Sequence, residues 1–243
     1  MADDLSFRER TWASIRRRPD PLTSIAFTLP LFLIYHLGIL AVDRRTDLDF
    51  VSSWVRGLLN QSNWGYALVT LGVTLLLLLM VWIQQRRGAV VASSITRVLL
   101  EGFLCALLVL MSMGWATHRV MRTAPAPGLS ALNVFEKIVL ASGAGFYEEF
   151  IFRALLVTGG TALVLRMFRV GPRGALLIAI ALSSLLFSLA HNIGVYGEPF
   201  IPEVAGYRVL EGILFAFLFV ARGFATAAYA HAFYDALVFF VYT

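Results

Sequence analysis

The stretch WGYALVTLGVTLLLLLMVWI, Trp64 to Ile83, carries no charged residue. Crossing the ~30 Å hydrocarbon core of a bilayer takes about 20 predominantly apolar residues in a helix, and this run is long enough. Lipid offers no partners for backbone N–H and C=O groups, so such a run is stable there only as a helix. Comparable runs occupy residues 22–42, 98–116, 132 to about 167, 175–190, 207–221 and 224–242. The first is too long for a signal-peptide core and lacks a small-residue cleavage site, so it reads as an uncleaved span. The set predicts an all-α, polytopic integral membrane bundle of seven to eight membrane helices around a polar cavity.

Composition agrees. The chain has 243 residues, 59% hydrophobic and 14% charged, with a mean hydropathy of +0.77. Soluble domains sit near 45–50% apolar and about 25% charged, so a soluble globular protein is excluded. So is a disordered one. One cysteine supports neither a disulfide framework nor a cysteine zinc cluster. The formal charge is +5, and Lys137 is the only lysine, so the remaining basic residues are arginines. No basic stripe is interleaved with aromatics, which argues against nucleic acid as a partner. The arginines gather at loop ends, where they report membrane orientation. The tail and loops 84–97 and 166–174 hold eleven, the loops 43–63, 117–131 and 191–206 five. The asymmetry predicts a cytoplasmic N-terminus. One structural domain is expected, divided into a basic tail at 1–21, N-terminal membrane helices at 22–131 and a C-terminal membrane region at 132–243.

Ionisable groups inside spans are costly, and each is a functional-site hypothesis. Three clusters qualify: EEFIFR at 148–153, FSLAH at 187–191 and HAFYD at 231–235. On a helix Glu149 and Arg153 share a face and can neutralise each other. Adjacent residues point about 100° apart, so Glu148 and Glu149 are not expected to meet the same partner. Glu148 is then a carboxyl without a local counter-charge, suited to general acid–base work. Phe187 and His191 share a face, as do His231 and Asp235, where the carboxylate can fix the imidazole's tautomer. Cys105, His36, His118 and Tyr147 read as packed residues. Glu211, an acid in an apolar run, is a weaker candidate for the cavity wall, and Asn192 can add a hydrogen bond beside His191.

The order EExxxR, FxxxH, HxxxD over roughly residues 132–242, with Arg222-Gly223-Phe224-Ala225 before the last motif, resembles the CPBP (Abi) family of intramembrane proteases. That family includes the type II CAAX prenyl endopeptidases. The resemblance implies that Glu148 activates the attacking water with His191 as partner. It implies that Glu149 and Arg153 hold the helix geometry, and that His231 and Asp235 stabilise the oxyanion. Most relatives carry Asn at the last position, and an ionised Asp235 cannot donate a hydrogen bond. Asp235 is therefore assigned to orienting or charging His231, with His231 as the donor. Phe187 and Asn192 support the site.

Glu148, His191 and His231 are also the candidate ligands if a divalent metal such as zinc is the cofactor. With no HExxH and no fourth ligand, the reading leans to a metal-free, Glu/His-activated water. Bringing Glu148 to His191 requires a break near Gly143–Gly145. That break predicts eight helical segments, including a short or re-entrant one at about 132–146. The expected activity is hydrolysis of a peptide bond in a membrane-anchored or lipidated protein or peptide, at the bacterial cytoplasmic membrane, in protein sorting, maturation or immunity. The alternatives are a catalytically silent membrane scaffold or immunity partner, and a small proton-coupled transporter. The complete motif set argues against the first and the lack of related halves against the second.

Overall fold

A computed structural model describes residues 21–42, 50–86, 93–123, 131–193 and 199–242. The expected basic tail before Pro21 lies outside the described residues, as do Arg44, Arg45, Arg87, Pro125, Pro127 and Glu198 of the loops. The described chain is helical: α1 (Pro21–Gly38), α2 (Phe50–Leu58), α3 (Asn63–Arg86), α4 (Ser93–Thr123) and α5 (Val134–Glu148). A π-helical segment, Glu149–Val157, follows, and then α6 (Thr158–Met167), α7 (Pro172–Ala190), α8 (Pro202–Arg222) and α9 (Phe224–Tyr242).

Among the described residues six helices are long and apolar enough to cross a membrane, with Val134–Met167 counted as one, and Thr23–Gly38 is a shorter apolar helix. The chain is a polytopic helical membrane protein. α2 falls in a connection that the sequence reading treated as irregular.

Local chemistry sets the helix ends. Asn133 opens α5 through a capping box: its side chain accepts from the Glu136 amide at 3.0 Å, and Glu136 accepts from the Asn133 amide at 2.7 Å. Pro172 and Pro202 open α7 and α8, where a missing N–H costs nothing. Gly223, at φ 90°, closes α8 in a conformation that side chains resist.

The predicted break near Gly143–Gly145 does not exist. The two glycines serve close packing instead. Gly143 lies against the Tyr35 ring of α1. A Cβ on Gly145 would stand 2.7 Å from the Ala232 amide nitrogen of α9. The chain stays helical from Val134 to Met167, its hydrogen-bond ladder widening to i→i+5 from Glu149; at its end the Thr158 amide donates to the Arg153 carbonyl.

α9 is the central helix, packed chiefly on α4 and α5 and also touching α8, α1 and the π segment. Ala225, Ala227, Ala228 and Ala230 are fully buried and let neighbouring backbones approach. α3 lies at the periphery and exposes Leu68, Leu71, Leu75, Leu76, Leu79 and Trp82, the lipid-facing wall expected of that run.

Candidate active site

Two helical hairpins build the site. In the first, α6 ends at Met167 and α7 begins at Pro172, so residues equidistant from the turn stand side by side. Gly160 packs on Ala179, and the rings of Phe152 and Phe187 meet edge-on at 5.3 Å. The Ser183 hydroxyl donates to the Phe152 carbonyl at 2.5 Å and locks this register. Glu148 and His191 lie one helical turn beyond Phe152 and Phe187, at the same height. The unbroken helix thus removes the conflict that the predicted break was meant to solve. The helix runs without a break from Val134 to Met167, and this length sets Glu148 at the level of His191.

In the second hairpin the turn at Gly223 sets Phe215 of α8 against His231 of α9, with the rings stacked at 4.5 Å and 12°. By the same register Glu211 stands level with Asp235. The Arg222 guanidinium ties this turn to α4 through two contacts with Glu101, one of them Nε to Oε2 at 3.0 Å.

The hairpins converge on one buried ion network. Arg153 lies 2.9 Å from Glu149 Oε1, both essentially inaccessible, and donates to the Gly212 carbonyl at 3.3 Å. Its guanidinium lies over the Phe187 ring at 4.6 Å. His231 Nδ1 donates to the same Glu149 oxygen at 2.8 Å. His231 Nε2 is 3.7 Å from Glu148 Oε2 and 3.7 Å from Asp235 Oδ2. Buried charges are tolerated when paired in this way. Glu148 Oε2 is buried and accepts no hydrogen bond from the protein. Glu149 Oε2 is likewise buried without a hydrogen bond, but Glu149 is committed through its other oxygen to Arg153 and His231, which leaves Glu148 as the carboxyl open to a water or a substrate.

Two expectations change here. Glu148 and Glu149 do meet the same partner, because an imidazole presents nitrogens on two edges and His231 spans both carboxylates. Asp235 does not set the His231 tautomer. Glu149 holds Nδ1, and Asp235 stands at ion-pair distance from Nε2.

His191 joins the cluster through Phe187. Its Nδ1 donates to the Phe187 carbonyl at 2.8 Å, and the two rings are 4.8 Å apart. Among the described residues no hydrogen bond or ion pair joins it to Glu148. Burial, reinforced by the Arg208 charge, pushes the imidazole well below its ordinary pKa of 6.5. With Nδ1–H committed to a carbonyl, the neutral ring presents Nε2 as an acceptor. Asn192 adjoins it at the end of the same turn.

Glu148, His191 and His231 do not form a ligand set: among the described residues no three His, Cys, Asp or Glu side chains are grouped to hold a metal.

The sequence reading missed Arg208 and underrated Glu211. Arg208 lies on the α8 face that also carries Glu211, Gly212 and Phe215, and its charge acts on Glu148, His191 and Asp235. Glu211 is buried. The rule that promoted Glu148, applied evenly to every ionisable group in a span, selects both.

No curated protein and no solved structure matches the chain. Residues 130–237 match the family model described as Rce1-like, type II CAAX prenyl endopeptidase Rce1-like, and every residue of the ion network falls inside that stretch. The stretch that carries the three motifs of this integral membrane protein is thus similar to the CAAX-protease-like family, a family of peptide hydrolases.

Proposed function

We propose that the protein is an intramembrane endopeptidase that hydrolyses a membrane-anchored or lipidated substrate with Glu148 as the base. The observation that carries this reading is the buried Glu148 carboxylate oxygen, which accepts no protein hydrogen bond and faces a histidine held by a second carboxylate. A carboxylate fixed beside a polarised imidazole is the arrangement general-base hydrolysis requires.

In the proposed reaction Glu148 takes a proton from water, which His191 orients through its Nε2 lone pair. The water oxygen bonds to the substrate carbonyl carbon. The resulting oxyanion accepts a hydrogen bond from Nε2–H of protonated His231, whose charge Glu149 and Asp235 balance while Glu148 carries the proton. Glu148 then passes the proton to the amide nitrogen, and the C–N bond breaks. One water is consumed, leaving a carboxyl and an amine. Glu149 and Arg153 keep His231 in place. Arg208 and Glu211 set the charge at the wall opposite. The arginine-rich composition favours a bacterial cytoplasmic membrane, with the N-terminus inside, and a role in protein sorting, maturation or immunity.

The test is reconstitution in lipid and incubation with prenylated CAAX peptides and with membrane-anchored candidate proteins. The native protein is compared with Glu148→Gln, His191→Ala and His231→Ala. Cleavage by the native chain that Glu148→Gln abolishes supports the assignment. Cleavage that survives in all three variants sinks it. A correctly folded native chain that cleaves no member of the panel supports the silent-scaffold reading instead.

A further inference from the structure

The first membrane helix lies outside the family-matched stretch, yet it touches both helices that carry the site. Tyr147, immediately before Glu148, hydrogen-bonds through its hydroxyl to His36 Nε2 at 2.8 Å. Tyr229, two residues before His231, donates its hydroxyl to the Phe27 carbonyl at 2.9 Å. Phe27 and His36 both belong to α1. One helix thus fastens α5 and α9 through one tyrosine each, close to the two residues whose separation sets the Glu148–His231 geometry.

The α1 end of this arrangement is itself held. His36 Nδ1 is bonded to the Tyr66 hydroxyl of α3, which also bonds the Ser52 hydroxyl of α2 at 2.8 Å. All four side chains of this chain of contacts are buried. A neutral imidazole has one donor and one acceptor, so one tyrosine gives His36 a proton and the other takes one. A fully satisfied polar chain in a low-dielectric interior specifies a single arrangement. The backbones are close-packed beside it, with Gly38 against Val139 and Gly143 against Tyr35.

We propose that α1 is a bracket for the active site, with His36, Tyr147 and Tyr229 as positioning residues that fix the distance between Glu148 and His231. This rests on the reading of Glu148 and His231 as the working pair.

The experiment uses the full chain in lipid nanodiscs and the variants Tyr147→Phe, Tyr229→Phe, His36→Leu and His36→Gln. The phenylalanines remove one oxygen each and keep the ring packing. Amide hydrogen exchange is measured over residues 146–153 and 229–235. Turnover is measured on a fluorogenic peptide ending in a prenylated CAAX sequence. Each Phe variant is expected to speed exchange in both segments roughly tenfold. It should lower kcat about 10- to 100-fold with KM unchanged, the effect of misplacing reacting groups by about 1 Å. His36→Gln keeps a donor and an acceptor, so it should recover most of what His36→Leu loses. Exchange at native rates in both Phe variants overturns the bracket, as does equal loss in the Gln and Leu variants with KM and kcat falling together. Glu148→Gln is the separating control. Native turnover in that variant defeats the catalytic reading, while the exchange data judge the bracket independently of turnover.

Discussion

α3 and α9 are both apolar membrane helices, and they are built on opposite plans. α3 is rich in leucine and mostly exposed. α9 is rich in alanine, carries His231, Tyr234 and Asp235, and is mostly buried. In water the more apolar helix would be the inner one. In lipid the hydrocarbon competes for leucine as well as the protein interior does, so hydrophobicity alone drives no burial. Small residues and polar pairs decide which helix sits inside.

The strongest way to break this comparison is to disable the polar pair that α9 shares with α5. Glu148→Gln is expected to lower kcat by about 10²–10⁴, the range of a lost general base. Leu76→Ala on α3 should leave it unchanged. Steady-state cleavage of the prenylated peptide checks both.

Next in size is Arg153→Ala. It leaves Glu149 buried without its guanidinium partner and is expected to cost about 3–5 kcal/mol of stability. Denaturant unfolding in detergent measures this.

Gly145→Leu tests the small-residue rule directly. The added side chain has to enter space that the α9 backbone already occupies, and a loss of about 1–3 kcal/mol is expected. Leu75→Ala on the lipid face should stay within about 0.5 kcal/mol. Equal losses at the two positions would remove the distinction between the helices.

The smallest effect is on His191. Its pKa is held well below 6.5 in the folded protein, so the unfolded chain binds more protons between the two values. The ring's contribution to stability is therefore complete above pH 6.5 and is lost as pH falls through the folded value. Histidine-selective NMR should show it neutral at pH 6.5, and His191→Gln should flatten the acid side of the stability profile.

The sequence disclosed the spans because their signal is additive along the chain. It also disclosed Glu148, Glu149, Arg153, His191, His231 and Asp235, because charge inside a span is rare. The π-helical widening at Glu149 has no compositional signature. The continuity of the helix through Gly143 and Gly145 was hidden for a related reason, since a glycine that serves close packing looks in sequence like one that breaks a helix. The bond from His231 to Glu149 joins residues far apart in the chain, and no spacing rule reaches across two hairpins. His36 and Tyr147 were passed over because each is unremarkable alone, and only packing puts them in contact.

The π-helical segment has a consequence for how this region tolerates change in length. Wider turns accommodate residues that an α-helix of the same rise would not hold. Deleting one residue between Glu149 and Val157 would invite the ladder to tighten to i→i+4 and change the rotation and rise of α6 against α5. Phe152 would no longer stand opposite Phe187, and His191 would leave the level of Glu148. Insertions and deletions are therefore admissible in the connections but not along this helix, where the count of residues is itself part of the candidate site.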